Sequence, residues 1–357
     1  MVDIPVPLGA RAYTVRLAPT FDGADAALAP WTDGRPVALI ADAQVAERWA
    51  FRVREPLRSR ASHYREILVP NGEAAKRWAV AEGVLDALLA PGFDRRGVVV
   101  ALGGGATSDL AGFCAAIALR GVAYVTLPTT LLALVDAAVG GKTAIDHPRG
   151  KNLIGAFHQP SAVFGAIEAL TTLPAVEWRS GLGEVVKTAL LVGDPLWSAV
   201  RAGATALRDR DLGSIEGVIA ACVQHKAAVV AADERESGLR ATLNLGHTLG
   251  HALEHAWAPA LPHGVAVGHG LVLEARLSEE MGLATQGLAQ EIAEVLAAVG
   301  IAPDPPRGRS EAVRRALAVD KKAEGDRISV PLLIRPGQVE RVLLSVSALA
   351  DAAERFA

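Results

Sequence analysis

The chain has 357 residues, of which 51% are hydrophobic and 21% charged, and a formal charge of −3. That is enough for two domains and a large core, and nothing in the balance points to nucleic acid or an anionic membrane surface as partner. The two cysteines, Cys114 and Cys222, sit in alanine-rich apolar contexts; a disulfide framework or a Cys-x-x-Cys zinc site is excluded, and buried thiols in a reducing, cytoplasmic setting are expected.

The opening Met-Val-Asp-Ile-Pro-Val-Pro lacks the basic start and long apolar core of a signal peptide. Tyr13 to Leu17 alternates like a half-buried strand. Val37 to Ile40, Ile67 to Val69 and Val98 to Leu102 are short continuous apolar runs, as parallel strands covered on both faces require. Amphipathic stretches from Ala43 to Arg58 and from Glu73 to Leu89 separate them. This βαβα rhythm predicts a doubly wound parallel sheet. After Leu102 come Gly103-Gly104-Gly105-Ala106-Thr107-Ser108-Asp109 and a helix from about Leu110 to Leu119. Strand, glycine turn and helix start form a pyrophosphate site, because the glycines admit a ligand to the backbone and the helix start offers free N–H groups. The turn is not Gly-x-Gly-x-x-Gly, and a tight connection without ligand has the same form. Val122 to Leu127 is a further strand, and Thr129 and Thr130 follow at the edge where such sheets meet ligands. The most apolar window, Tyr124 to Gly141, is broken by Pro128 and Asp136 and is too short to span a bilayer.

Beyond Leu173-Pro174 helical patterns dominate: Ala175 to Leu191, Ser214 to Ala232, Thr242 to Trp257, Val265 to Met281 and Leu288 to Val299. A proline-rich linker, Pro303 to Arg307, leads to a further short helix. The expected division is an α/β domain over 1–173 and a mostly helical domain over 174–357.

Polar groups in apolar surroundings mark the chemistry. Asp136 and Lys142 bracket Ala-Ala-Val-Gly-Gly, and Lys151 and Asn152 follow a His-Pro-Arg-Gly turn. Glu184 and Lys187 stand i, i+3 on one helical face, a spacing that elsewhere marks a solvated surface pair. Here it follows a glycine-rich entry, Ser-Gly-Leu-Gly. His247 and His251 are four apart, so on a helix they share a face, and a Leu-Pro-His-Gly turn carries His263. Lys226, Arg240 and Asn244 lie nearby in sequence, an amide and two cations suited to an anionic, oxygen-rich ligand. A carboxylate plus two histidines with a position left open is the composition of a catalytic zinc site; spacing does not choose among the histidines.

Seven segments carry a resemblance to one family. They are Gly103-Gly-Gly-x-x-x-Asp109-Leu-Ala-Gly-Phe113, Arg120-Gly-Val122, Leu127-Pro-Thr-Thr-Leu-Leu-Ala133, Val135-Asp-Ala-Ala-Val-Gly-Gly-Lys-Thr-Ala144, Gly150-Lys-Asn-Leu-Ile-Gly-Ala-Phe157, Asn244-Leu-Gly-His-Thr-Leu-Gly-His251 and Asp320-Lys-Lys322. In order and spacing, from about residue 36 to 330, the chain resembles 3-dehydroquinate synthase. The resemblance implies an N-terminal Rossmann-like NAD-binding domain, a C-terminal helical metal-binding domain with the substrate between them, and a homodimer. The reaction implied is 3-deoxy-D-arabino-heptulosonate 7-phosphate to 3-dehydroquinate and phosphate, in the shikimate pathway of aromatic amino acid biosynthesis.

By position, the resemblance makes Glu184, His247 and His263 the ligands of zinc or cobalt. Asp136 and Lys187, with the metal, handle the hydroxyl that NAD⁺ oxidises, and Lys226 and Arg240 hold the substrate carboxylate. Lys142, Asn152, Asn244, His251 and one of Lys321 and Lys322 surround the phosphate; Lys151 lines the same pocket, and Arg120 reaches the phosphate of the partner subunit. The NAD positions are Asp42, Glu73, Lys76, Gly103, Gly104, Gly105, Asp109, Thr129, Thr130, Thr172 and Leu173, with Lys142 and Lys151 beside them. The chain departs from the family at Ser108 and Gly183, where glycine and alanine are usual, and at Val265, where an acid is usual. If that acid orients His263, its loss loosens the metal site. A sibling sugar phosphate cyclase, a metal- and NAD-dependent polyol dehydrogenase and a catalytically silent binding protein are the competing readings. The dehydrogenase would accumulate NADH, and the silent protein would turn nothing over.

Overall fold

The structure is a computed structural model. It describes the chain except residues 237, 303, 319–322 and 357, and the side chains of 323 and 324. Lys321 and Lys322 therefore lie outside the described residues. The chain divides into two units, Met1–Pro174 with Lys226–Arg235, and Ala175–His225 with Glu236–Ala357. The sequence division gave all of 174–357 to the second domain; Lys226–Arg235 instead packs with the first unit. The helical pattern around Lys226 is continuous, so nothing local marks where its packing partners change.

The first unit runs β1 (Val2–Val6), β2 (Tyr13–Ala18), α1 (Ala24–Thr32), β3 (Pro36–Asp42), α2 (Ala43–Trp49), α3 (Phe51–Arg60), β4 (His63–Val69), α4 (Trp78–Leu89), β5 (Val98–Gly103), α5 (Gly105–Ile117), β6 (Ala123–Pro128), β7 (Lys142–His147), β8 (Gly150–Phe157) and β9 (Ala162–Ala166). Seven strands form one sheet in the order β1-β2-β9-β6-β5-β3-β4. The β1–β2 pair is antiparallel and the other neighbours are parallel. Because side chains alternate faces along a strand, Val37, Leu39 and Ala41 join the core under α1 to α3, whereas Ala38 and Ile40 join the one under α4 and α5. Both faces are covered, which is why β3 and β5 read as unbroken apolar runs. The stretch expected as one helix from Ala43 divides at Ala50. The next begins as a 3-10 turn, Gly72–Lys76, before Arg77 turns extended and α4 starts. β7 and β8 form a separate hairpin.

The second unit contains α6 (Ala175–Val192), α7 (Leu196–Arg208), most of α8 (Leu212–Ala232), α9 (His247–Ala256), α10 (His263–Glu280), α11 (Leu288–Ala298), α12 (Ser310–Ala318), β10 (Ala323–Glu324), β11 (Arg327–Arg335), β12 (Gln338–Ser345) and α13 (Val346–Phe356). α8 is long and apolar enough to cross a bilayer by length and composition, but half of its apolar window is buried in the protein. The sequence reading passed over the small sheet. In β11, Ile328 and the run from Val330 to Leu333 are buried, but Pro331 lies inside the run, which argues against a strand. Among the described residues, β10 pairs with residues 327 and 328, and β12 pairs along β11, Pro331 facing Arg341.

α10 lies against α6 and α9 through glycines. A Cβ at Gly183 would fall 1.9 Å from the carbonyl oxygen of Gly264, and one at Gly264 1.8 Å from that of Ser180. On the other side, a Cβ at Gly270 would fall 1.9 Å from the oxygen of Gly246. Backbone touches backbone at both crossings, and the side chains that flank the notches are drawn together.

Candidate metal centre and nucleotide-binding turn

Those flanking side chains are Glu184 on α6, His247 at the start of α9 and His263 at the start of α10. The Glu184 carboxylate lies 3.4 Å from His247 Nε2 and 3.3 Å from His263 Nε2. Four-coordinate zinc with bonds of about 2.0–2.1 Å sets its ligand atoms about 3.3–3.4 Å apart, so both carboxylate–imidazole separations match edges of a coordination tetrahedron. His251 joins them: nitrogen atoms of His247, His251 and His263 lie within 4.8 Å of one another. The ring centroids are 5.0, 5.4 and 5.4 Å apart.

The charge states suit a cation. Burial alone would raise the Glu184 carboxyl, but Lys187 and the imidazoles of His247 and His263 outweigh it and hold the group well below the usual carboxylate range. The Lys187 ammonium is 2.6 Å from it, and both side chains are almost fully buried. Burial keeps His247 well below the usual imidazole range, so its lone pair is available. Burial opposes charge on His263 too, but the carboxylates of Glu184 and Glu254 prevail and push it up to about 10. A metal ion would have to displace that proton.

Each ligand ring is held from behind. His247 Nδ1 is 3.0 Å from the Leu245 carbonyl, and His263 Nδ1 is 2.9 Å from a Glu254 carboxylate oxygen. With Val265 in place of the usual acid, the acid beside His263 Nδ1 is Glu254 on α9, which the sequence did not single out. Fully buried Glu274 accepts from the backbone N–H groups of Gly246 and Leu249 at 2.6 and 3.1 Å. It caps the first turn of α9 from α10. The helix expected from Thr242 starts only at His247, because Gly246 takes a left-handed φ of 74° that separates it from a 3-10 turn, Leu239–Asn244. That turn carries buried Arg240 and also Asn244, whose amide donates to Glu236 at 2.8 Å. Glu236 is a polar residue the sequence reading missed.

In the first unit the glycine turn is as tight as its composition requires. A Cβ at Gly103 would fall 2.6 Å from Thr107 Oγ1, at Gly104 2.9 Å from Thr130 Cγ2, and at Gly105 3.0 Å from Ala137 Cβ. α5 begins directly at Gly105, five residues before the expected start. The hydroxyls of Thr107, Ser108 and Thr129 are buried with no hydrogen-bond partner among the described residues. Orphaned donors around a glycine turn at a helix N-terminus fit a phosphate-bearing cofactor.

Lys76 is buried in an ion pair with Asp109 at 2.7 Å and also bonds Asn152. Burial disfavours its charge, but Asp109 and Glu73 prevail and hold its pKa above the ordinary lysine value. Lys151 lies within electrostatic reach of Glu73. Asp42 caps α2, accepting from the N–H groups of Gln44 and Val45 at 2.9 and 3.2 Å, and takes a further bond from Asn71. Thr172 is tied to α2 by the Trp49 indole at 2.8 Å, and Leu173 beside it is buried. Asp136 lies in a single π-helical turn, Ala133–Ala137, a feature frequent at functional sites. Lys226 meets its carboxylate at 2.7 Å. Lys142, Lys151 and Asn152 are exposed on the β7–β8 hairpin, and exposed Arg120 follows α5. Arg120 and Asn152 hold left-handed φ values of 68° and 55°.

Comparison with known proteins bears on this arrangement as a whole. The family models for the 3-dehydroquinate synthase N-terminal and C-terminal parts match residues 66–180 and 181–323. A 3-dehydroquinate synthase of Pelobacter propionicus is 46% identical over 288 residues, 80% of each chain. Among solved structures, 2-epi-5-epi-valiolone synthase from Streptomyces hygroscopicus subsp. jinggangensis 5008, with NAD⁺ and Zn²⁺ bound, superposes with a TM-score of 0.86. It is 28% identical, over 96% of this chain and 95% of that one. A 2-deoxy-scyllo-inosose synthase complexed with carbaglucose-6-phosphate, NAD⁺ and Co²⁺ reaches 0.90 over the whole of both chains at 23% identity, a likeness of fold. With both halves matched in order and nearly half of the 288 aligned residues shared with the Pelobacter enzyme, the chain belongs to the 3-dehydroquinate synthase family.

Proposed function

We infer that the protein converts 3-deoxy-D-arabino-heptulosonate 7-phosphate to 3-dehydroquinate and phosphate, the shikimate-pathway step, using NAD and a divalent metal. The observation that carries this reading is the buried Glu184 carboxylate at 3.3 and 3.4 Å from two imidazole nitrogens, with Lys187 2.6 Å away. When bound, NAD⁺ would supply a reversible two-electron acceptor and zinc or cobalt a Lewis acid.

Glu184, His247 and His263 would hold the metal. Gly103, Gly104 and Gly105, with Thr129, Thr130 and Asp109, would cradle the nucleotide, helped by Asp42, Glu73, Lys76, Thr172 and Leu173. Asp136 and Lys187 orient the reacting hydroxyl and exchange its proton. Lys226 and Arg240 bind the substrate carboxylate. Lys142, Lys151, Asn152, Asn244 and His251, with one of Lys321 and Lys322, gather around the phosphate and favour its departure by stabilising the charge it takes with it. Both buried cysteines are free, in keeping with a cytoplasmic enzyme.

The protein would be a homodimer to which Arg120 contributes across the interface. Exposed Ile117 beside it and exposed Leu153 and Phe157 on β8 support that assignment, and light scattering at working concentration checks it.

The test is phosphate release from the heptulosonate phosphate with NAD⁺ and Zn²⁺ or Co²⁺, with the product identified by mass. Dehydroquinate is expected. Release only from sugar phosphates that lack a carboxylate would assign the chain to a sibling cyclase.

A further inference from the structure

Glu254 stands seven residues after His247 and three after His251 on α9, two turns and one turn on, so all three belong to one stripe of the helix. Its carboxylate reaches across to α10, 2.9 Å from His263 Nδ1, while Nε2 of the same ring is 3.3 Å from Glu184. The Glu254 side chain is only 13% exposed. We propose that Glu254 is a positioning residue of the metal centre. Its carboxylate accepts the Nδ1 proton of His263 and so aims the Nε2 lone pair at the point shared with Glu184 and His247.

The chemistry follows from the two ring nitrogens. A neutral imidazole carries one proton, and the nitrogen that bears it cannot ligate. A carboxylate beside Nδ1 fixes the proton there and leaves Nε2 as the donor. It also stops the ring from turning about its Cβ–Cγ bond and raises its basicity toward a cation. His247 is oriented differently, by the neutral backbone carbonyl of Leu245 just before its helix. The Glu254 contact joins two helices, so it also fixes the start of α10 relative to α9.

This inference rests on Glu184, His247 and His263 as the metal ligands. The experiment is a Zn²⁺ titration of metal-stripped protein against a chromophoric chelator, repeated with Co²⁺ to record its visible absorption. It uses the wild type, E254A, E254Q, E184A, H263A and the E254A/H263A double variant. E254A should bind Zn²⁺ about 10–100-fold more weakly than wild type, with an altered Co²⁺ spectrum. E254Q keeps an acceptor oxygen and should recover most of the affinity, and it serves also if E254A folds poorly. In the H263A background, E254A should cost nothing further. Wild-type affinity and spectrum in both Glu254 variants, or an equal loss with and without His263, would overturn the proposal. A wild type that takes up no metal, or an E184A variant that binds like wild type, would instead overturn the ligand assignment itself.

Discussion

Gly183→Ala, which installs the residue usual in the family, is the sharpest probe of how closely α6 and α10 are set in this chain. In an isolated helix the change should help by about 1 kcal/mol, because glycine is the poorer helix former. Here the new methyl would sit 1.9 Å from the Gly264 carbonyl oxygen and 2.6 Å from its carbon. Ordinary contacts lie near 3.5 Å, so α6 must withdraw from α10 by on the order of 1.5 Å. Both partners are backbone, and no rotamer relieves the clash. Overpacking of this kind costs about 1–3 kcal/mol, which exceeds the propensity gain. The same withdrawal carries Glu184 away from His263, now 3.3 Å distant, whereas metal ligands tolerate only about ±0.2 Å. Zn²⁺ affinity should therefore fall tenfold or more. Urea unfolding and chelator competition read the two effects. Gly203→Ala in α7, where an added methyl meets nothing within 4 Å, should be neutral or stabilising. A Gly183→Ala protein with wild-type urea midpoint and wild-type Zn²⁺ affinity would refute the reasoning.

Other expectations follow from single contacts. Lys187→Met should abolish turnover while Zn²⁺ still binds; it should cost the metal-free protein less than the roughly 3–5 kcal/mol of a fully stranded buried charge, because His263, 3.3 Å away, still faces the carboxylate. Normal turnover would remove Lys187 from the chemistry. Glu274→Ala leaves the Gly246 and Leu249 N–H groups without their acceptor, at roughly 1–3 kcal/mol each, and should lower the thermal midpoint and weaken metal binding together; an unchanged midpoint would show that α9 needs no cap. His269, buried on α10, has its pKa lowered by burial to about 4, against an ordinary 6.5. Between those values the unfolded chain binds the proton and the folded chain does not, so stability should fall by about 3 kcal/mol as pH drops from 6.5 to 4. His269→Leu should flatten this acid limb in urea midpoints measured across that range, and parallel curves for the two proteins would contradict it.

The nucleotide turn was legible because its physics is local: a strand buried on both faces, glycines where a Cβ has no room, and a helix start. The i, i+4 histidines and the Glu184–Lys187 spacing were legible for the same reason. Glu254 and Glu274 were not, since a single acid on a helix reads as a solvated face until the opposing helix is seen. The Asp136–Lys226 contact joins positions far apart in sequence, and no periodicity announces it. Nor did spacing explain Gly183, whose role lies in the Gly264 backbone pressed against it. The helix expected through Asn244 and His247 failed at Gly246, where the left-handed turn is set by the tight approach of Gly270 on α10.

The proposed reaction is a redox cycle that closes on itself within one enzyme. The direct measurement follows phosphate release and absorbance at 340 nm together, with NAD⁺ at enzyme-level concentration and the heptulosonate phosphate in excess. Many phosphates released per NAD⁺, with no accumulating NADH, is the result predicted. NADH rising in step with substrate consumption would contradict the account and make the protein a dehydrogenase.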